Sequence, residues 1–141
     1  MSWYKIKRRA SDIIFSEFIR RRDKKCMYRF KCLGLPCDWK YDLDCSHWKG
    51  RGKEGTRIDP DNSDGACRSC HKWVSETAEG KKALDEFKLK QLGQARHDMV
   101  LLRANSYKKK DEFMSKFIAR ELLKGLEYDE QKINKDNSGK D

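Results

Sequence analysis

The chain has 141 residues, of which 40% are charged and only 37% hydrophobic, and its formal net charge is +10. That length allows one domain with a thin core, and the charge favours a polyanionic partner, of which nucleic acid is the commonest. No apolar run approaches the roughly 20 residues of a membrane span, and no apolar segment follows the basic start as a secretory signal requires, so no membrane partner and a cytoplasmic, reducing location are expected.

In chain order, residues 1–10 carry Lys5, Lys7, Arg8 and Arg9 beside Trp3 and Tyr4. They read either as a disordered arm that touches phosphates or as a solvated end. Ser11 can cap a helix over residues 12 to about 22, in which Ile14, Phe15, Phe18 and Ile19 recur at helical spacing. Its last turn carries Arg20, Arg21 and Arg22, which suits a helix C-terminus and can also meet a DNA backbone. Cys26, Cys32 and Cys37 lie in an irregular piece marked by Gly34 and Pro36. Residues 41–48 read as a strand. Residues 49–55, Lys-Gly-Arg-Gly-Lys-Glu-Gly, form a basic loop through which backbone can approach a ligand, with linker as the plain alternative. Lys49, Arg51, Lys53 and, just beyond, Arg57 are further candidate DNA contacts.

A helical pattern resumes at Cys67 and runs to about residue 76, then past Gly80 through Leu84, Phe87 and Leu92 to a stop at Gly93. A helix over about 95–104 is expected to bury Met99, Leu101 and Leu102. The last, over about 111–126, should turn Phe113, Phe117, Ile118, Leu122 and Leu126 inward. His97 reads as a surface or packing histidine. Residues 128–141 are charged, nearly free of large apolar groups, and read as a disordered tail. The division expected is thus a basic arm over 1–10, one domain over 11–127 and a tail over 128–141.

Six cysteines in a reducing compartment are better read as metal ligands than as disulfides. Structural zinc takes four ligands tetrahedrally, and the Cys-x-x-Cys of Cys67 and Cys70 is a specific pair for it. Spacing alone leaves the second pair open among Cys26, Cys32, Cys37 and Cys45. Cys45 shares a strand face with His47 and reads as a buried thiol beside the site.

His47, then Asn62, then His71 fused to the Cys-x-x-Cys is the layout of an HNH nuclease site on a zinc-stapled hairpin and helix. Phosphodiester hydrolysis needs an activated water and stabilisation of charge on the phosphoryl and leaving oxygens. His47, as a neutral imidazole, suits the first task. A catalytic Mg2+ or Mn2+ suits the others, with His71 as its ligand. Asn62 can hydrogen-bond backbone across the loop and so aim His47. Many HNH modules enter their first knuckle through an Arg-Asp pair, here Arg22-Asp23, which favours Cys26 with Cys32 and keeps Cys37 as the alternate. The fold expected is α+β and mostly helical, a zinc-stapled ββα-metal (HNH) core with an N-terminal helix and C-terminal helices.

The run Cys45-Ser-His-Trp, then Gly-Arg-Gly, Thr56-Arg-Ile-Asp-Pro-Asp-Asn62 and Cys67-Arg-Ser-Cys-His71, resembles the NinG or Rap recombination proteins of lambdoid phages and prophages. Phe15-Ser-Glu-Phe-Ile-Arg-Arg-Arg-Asp23 and Phe87-Lys-Leu-Lys-Gln-Leu-Gly93 agree, and the likeness covers roughly residues 11 to 110. It implies a phage- or prophage-encoded endonuclease of the bacterial cytoplasm that cuts branched DNA, notably Holliday junctions and D-loops. Ser46 stands where many HNH nucleases place a metal-binding Asp, which leaves the second protein ligand open among Asp44, Asp59, Asp61 and Asp64. Symmetric cutting of a four-way junction would suit a homodimer. The competing readings are an HNH nuclease on linear duplex, of the homing or restriction type, and a zinc-stabilised DNA-binding protein without chemistry.

Overall fold

The computed structural model describes residues 7–33 and 38–138. Cys37, residues 1–6 of the basic arm and residues 139–141 lie outside that range. Helix α1 (Ala10–Asp23) starts before the predicted cap: Arg9 is the extended residue ahead of it, and its N–H donates to the Asp12 carboxylate at 2.8 Å. Ser11 lies inside the helix, where its N–H and its hydroxyl each donate to Glu112 at 2.9 Å. A long-range carboxylate has taken the serine from its local capping role.

Strand β1 (Leu43–His47) pairs antiparallel with β2 (Ser63–Cys67), in register from Leu43 with Cys67 to His47 with Ser63. A 3-10 turn over Pro60–Asn62 leads into β2, begun by the Asp59 carboxylate accepting from the Asp61 N–H. The residue after Cys67 opens α2 (Arg68–Glu76), so strand, strand and helix follow directly. Thr77 joins α2 to α3 (Ala78–Asn105): its N–H donates to the Trp73 carbonyl and its hydroxyl accepts from the Gly80 N–H at 2.9 Å. Gly93, with φ 77°, breaks α3 into two helical pieces where the sequence predicts a stop.

Beyond that kink Val100 and Ala104 are buried, while Met99 and Leu102 stand in solvent, contrary to expectation. Arg96 and Arg103 bond Asp61 and Asp59, and those pairs turn the face shared with Val100 toward the 3-10 turn. Helix α4 (Glu112–Ser138) lays Ala119, Leu122, Leu123 and Leu126 on Phe15, Phe18 and Ile19 of α1. Phe113, Phe117 and Ile118 remain exposed instead of turning inward, because α1 covers a single side of α4. The tail expected to be disordered from residue 128 is helical to Ser138. Arg21 holds this turn of α4 through Glu127 at 3.0 Å and Glu130 at 2.7 Å, partners that composition cannot reveal.

A second core lies around the hairpin, where Cys26, Tyr28, Leu43, Ala66, Val74 and Leu84 are buried beneath Phe30, Trp73 and Phe87. The architecture is therefore α+β and mostly helical, with four helices and one two-stranded antiparallel sheet among the described residues. None of these helices is long and apolar enough to cross a membrane.

Candidate functional site

Cys26 and Cys32 come from the segment after α1, Cys67 ends β2, and Cys70 lies in the first turn of α2; their sulfurs all lie within 4.8 Å of one another. The Cys32 sulfur is 3.7 Å from that of Cys70 and 3.8 Å from that of Cys67. Four sulfurs bound about 2.3 Å from one ion sit about 3.8 Å apart, so the cluster could hold a metal ion such as zinc. These are the four thiols the sequence favours, while the alternate Cys37 is outside the described residues.

The surroundings suit a thiolate cluster. Burial raises the Cys26 thiol, but backbone N–H groups of Arg29, Cys67 and Tyr28 outweigh it and bring the pKa below its usual value. Arg29 takes a left-handed φ of 55° in this turn. Burial, and then the neighbouring thiols, push Cys32 up strongly and Cys70 up to about 11, against an N–H donated to Cys70 by Lys31. Sulfurs this close cannot all be charged unless a cation is shared among them.

Apart from the four-thiol cluster, an open cleft is lined by Asp44 and His47 of β1, His71 of α2, and the cations Arg8, Arg20, Lys40, Arg51 and Arg68. The His47 Nε2 lies 3.0 Å from the Arg57 carbonyl oxygen. A carbonyl only accepts, so Nε2 carries the proton and Nδ1 keeps its lone pair. Burial, with some help from the Arg51 charge, lowers the His47 pKa to about 4, although the Arg57 carbonyl works against it. Burial also lifts the neighbouring Cys45 thiol to about 12.

Arg57 corrects an expectation. It is only 2% exposed, and its guanidinium donates to Ser11 and to Asp12, so it backs the carbonyl behind His47 and is withdrawn from any DNA surface. Arg21 is committed to Glu127 and Glu130. Arg22 bonds Asp23 and the carbonyls of Pro60 and Ser63, so neither arginine is set out for phosphate. Of that triplet Arg20 alone lines the cleft, tied to the Trp39 carbonyl at 3.1 Å. The Lys49 ammonium lies 4.9 Å from the Trp48 ring centre, and Lys53 is exposed.

Asn62 is fully buried between the strands and the basic loop. Its amide nitrogen donates to the carbonyls of Lys49 at 2.9 Å and Thr56 at 3.0 Å, and its oxygen accepts from the Lys49 N–H at 2.8 Å. Three bonds from one side chain hold both ends of the loop that ends beside Arg57. His71 Nδ1 lies 3.1 Å from the Asp44 carboxylate. A carboxylate accepts, so a neutral His71 carries its proton on Nδ1 and keeps a lone pair on Nε2. That hydrogen bond is the main cause that lowers the Asp44 pKa.

The other three aspartates are engaged elsewhere: Asp59 with Arg103, Asp61 with Arg96, and buried Asp64 with Lys88 and Gln91. Among these four acids only Asp44 lines the cleft. His97 packs against the Trp48 ring and pairs with Asp98, a packing histidine as read from the sequence. Lys40 and Arg68 line the cleft without having been singled out. Their signal was position, one just before β1 and the other inside the Cys-x-x-Cys. No family model, curated protein or solved structure matches the chain.

Proposed function

We propose that this chain is a metal-dependent endonuclease of the HNH type acting on branched DNA, as its resemblance to the NinG or Rap proteins implies. The observation that carries the reading is His47, whose Nε2 is committed to the Arg57 carbonyl and whose Nδ1 is left as an acceptor in a cation-lined cleft. With a pKa lowered to about 4 it is neutral at physiological pH and takes the proton of the attacking water at Nδ1. A phosphodiester beside it supports the imidazolium that forms. Arg20, Lys40, Arg51 and Arg68 hold the phosphate against that histidine. Asn62 keeps the loop, and with it the Arg57 carbonyl, in place.

The Nε2 lone pair of His71, with the ring oriented by the Asp44 carboxylate at Nδ1, is the protein donor that would hold Mg2+ or Mn2+, with water and the phosphodiester filling the remaining positions. When bound, such an ion supplies Lewis-acid stabilisation of charge on the phosphoryl and leaving 3'-oxygens. A structural zinc on Cys26, Cys32, Cys67 and Cys70 would fix the start of α2, and so His71, against the hairpin.

The test is incubation of the zinc-loaded protein with a labelled four-way junction and a matched duplex, with and without Mg2+ or Mn2+. His47→Ala should cut about 10²- to 10⁴-fold more slowly while junction binding and zinc content stay near wild type. His71→Ala should raise the divalent concentration required. Wild-type cutting by His47→Ala in saturating Mg2+ would sink the mechanism, and equal cutting of junction and duplex would replace branched DNA by duplex as the substrate.

A further inference from the structure

Residues 106–111, Ser-Tyr-Lys-Lys-Lys-Asp, connect α3 to α4 as an irregular and wholly exposed loop. Tyr107 is 92% exposed, more than any other large apolar or aromatic side chain among the described residues. Lys108, Lys109 and Lys110 make no ion pair among the described residues, whereas Arg9, Arg21, Arg22, Arg57, Arg96 and Arg103 are each paired with a carboxylate. Several of the chain's arginines are thus committed internally, and this loop sets three adjacent lysines outside any such pair among the described residues.

The loop is also placed. At its start, a Cβ on Gly55 would lie 2.2 Å from the Arg103 carbonyl oxygen and 3.7 Å from that of Ser106, so the end of α3 rests directly on the basic loop of residues 49–55. At its far end Glu112 accepts from Ser11 and stands 3.6 Å from the Arg57 guanidinium and 3.4 Å from that of Arg9. Both anchor points flank Arg57, whose carbonyl accepts the hydrogen bond from His47 Nε2. The loop that carries the three lysines is therefore anchored at both ends close to Arg57, the residue bonded to His47 of the cleft.

Lysines of this kind neutralise phosphates without reading sequence. A projecting tyrosine ring offers a face on which a base can stack, and a base face is accessible where the continuous stack of a duplex is interrupted, as at a branch point. We propose that residues 107–110 are a second DNA-binding element beside the cleft, with Lys108, Lys109 and Lys110 on the phosphates of a further arm and Tyr107 stacked on a base face exposed at the branch point. This deepens the branched-DNA reading of the cleft and rests on it.

The experiment is fluorescence anisotropy on the full zinc-loaded chain, without added divalent ion, using a four-way junction and a linear duplex over a series of salt concentrations. The triple variant Lys108→Ala, Lys109→Ala, Lys110→Ala should reduce the slope of log Kd against log salt by about 2 to 3 on the junction. Tyr107→Ala should weaken junction binding about 5- to 150-fold with little change on duplex, and Tyr107→Phe should retain it. Circular dichroism and zinc content should match wild type, since all four side chains are exposed. An unchanged slope, or equal loss on junction and duplex from Tyr107→Ala, would overturn the proposal. If these variants behave as wild type while His47→Ala loses cleavage, the loop assignment alone has failed. If His47→Ala cuts normally while the loop variants lose junction binding, the nuclease mechanism has failed and the DNA contact stands.

Discussion

The depressed pKa of His47 has a consequence for stability that can be measured without any substrate. Burial lowers the folded-state value to about 4, against an ordinary 6.5 once the chain unfolds. The sign follows from linkage: between these values the unfolded chain binds a proton that the folded chain refuses, so the contribution is full above the unfolded pKa and is lost as pH falls through the folded one. At about 1.4 kcal/mol per unit the whole effect is up to about 3 kcal/mol, and between about pH 7.5 and pH 5.5 it is about 1.3 kcal/mol. That interval stops short of acid conditions in which zinc thiolates are protonated. His47→Gln is the comparison, because its amide can still donate to the Arg57 carbonyl while nothing titrates. Urea unfolding of both zinc-loaded proteins across this range should show wild type losing about 1 kcal/mol more than the variant as pH falls. Parallel curves would mean that His47 titrates as a solvated histidine, and the account of a buried, neutral base would be wrong.

Removal of the metal should be more drastic. Zinc binding in small modules is worth about 10–16 kcal/mol, which matches or exceeds the whole stability of an ordinary domain, so Cys67→Ser or Cys70→Ser should unfold the hairpin and α2. Elemental analysis should give about one zinc per wild-type chain by the four-ligand rule, and a folded metal-free protein would rule this out. Gly55→Ala puts a Cβ 2.2 Å from the Arg103 carbonyl oxygen, a backbone atom that cannot swing aside. Such overpacking costs about 1–3 kcal/mol, to be read as a lower urea midpoint at unchanged slope, and an unmoved midpoint would mean that loop and helix end do not touch.

What could be read in the sequence was local. The apolar repeat of α1, the break at Gly93 and the Cys67 and Cys70 pair rest on residue type and near spacing, whereas Cys26 and Cys32 are favoured by likeness to how HNH modules begin, and each has its counterpart in the structure. What could not be read depends on partners far along the chain. Arg21, Arg22 and Arg57 look like DNA contacts because a run of arginines carries no mark of which carboxylate will claim it. Glu127 reaches Arg21 only through the packing of α4, Asp12 reaches Arg57 from the first turn of α1, and Arg22, besides its neighbour Asp23, is held by the distant carbonyls of Pro60 and Ser63. The same holds for Phe113 and Phe117, whose periodicity says that α4 has an apolar side but not how much of that side finds a neighbour. Asp44 was one acid among four until the strand register set it beside His71.

The seam between α1 and α4 also sets a clock. Ser11 and the Glu112 carboxylate that receives its two hydrogen bonds are 101 positions apart, and the apolar side of α1 closes onto the same helix. A ribosome adding about 5–20 residues per second completes that stretch only after about 5–20 seconds. Throughout that wait Phe15, Phe18 and Ile19 lack their α4 covering, whereas the four thiols, all within the first 70 residues, can gather much earlier. Assembly in the cell would thus begin at the metal knot and finish by zipping the two distant helices together. A chain stalled before α4 emerges would carry a finished cleft beside an adhesive flank.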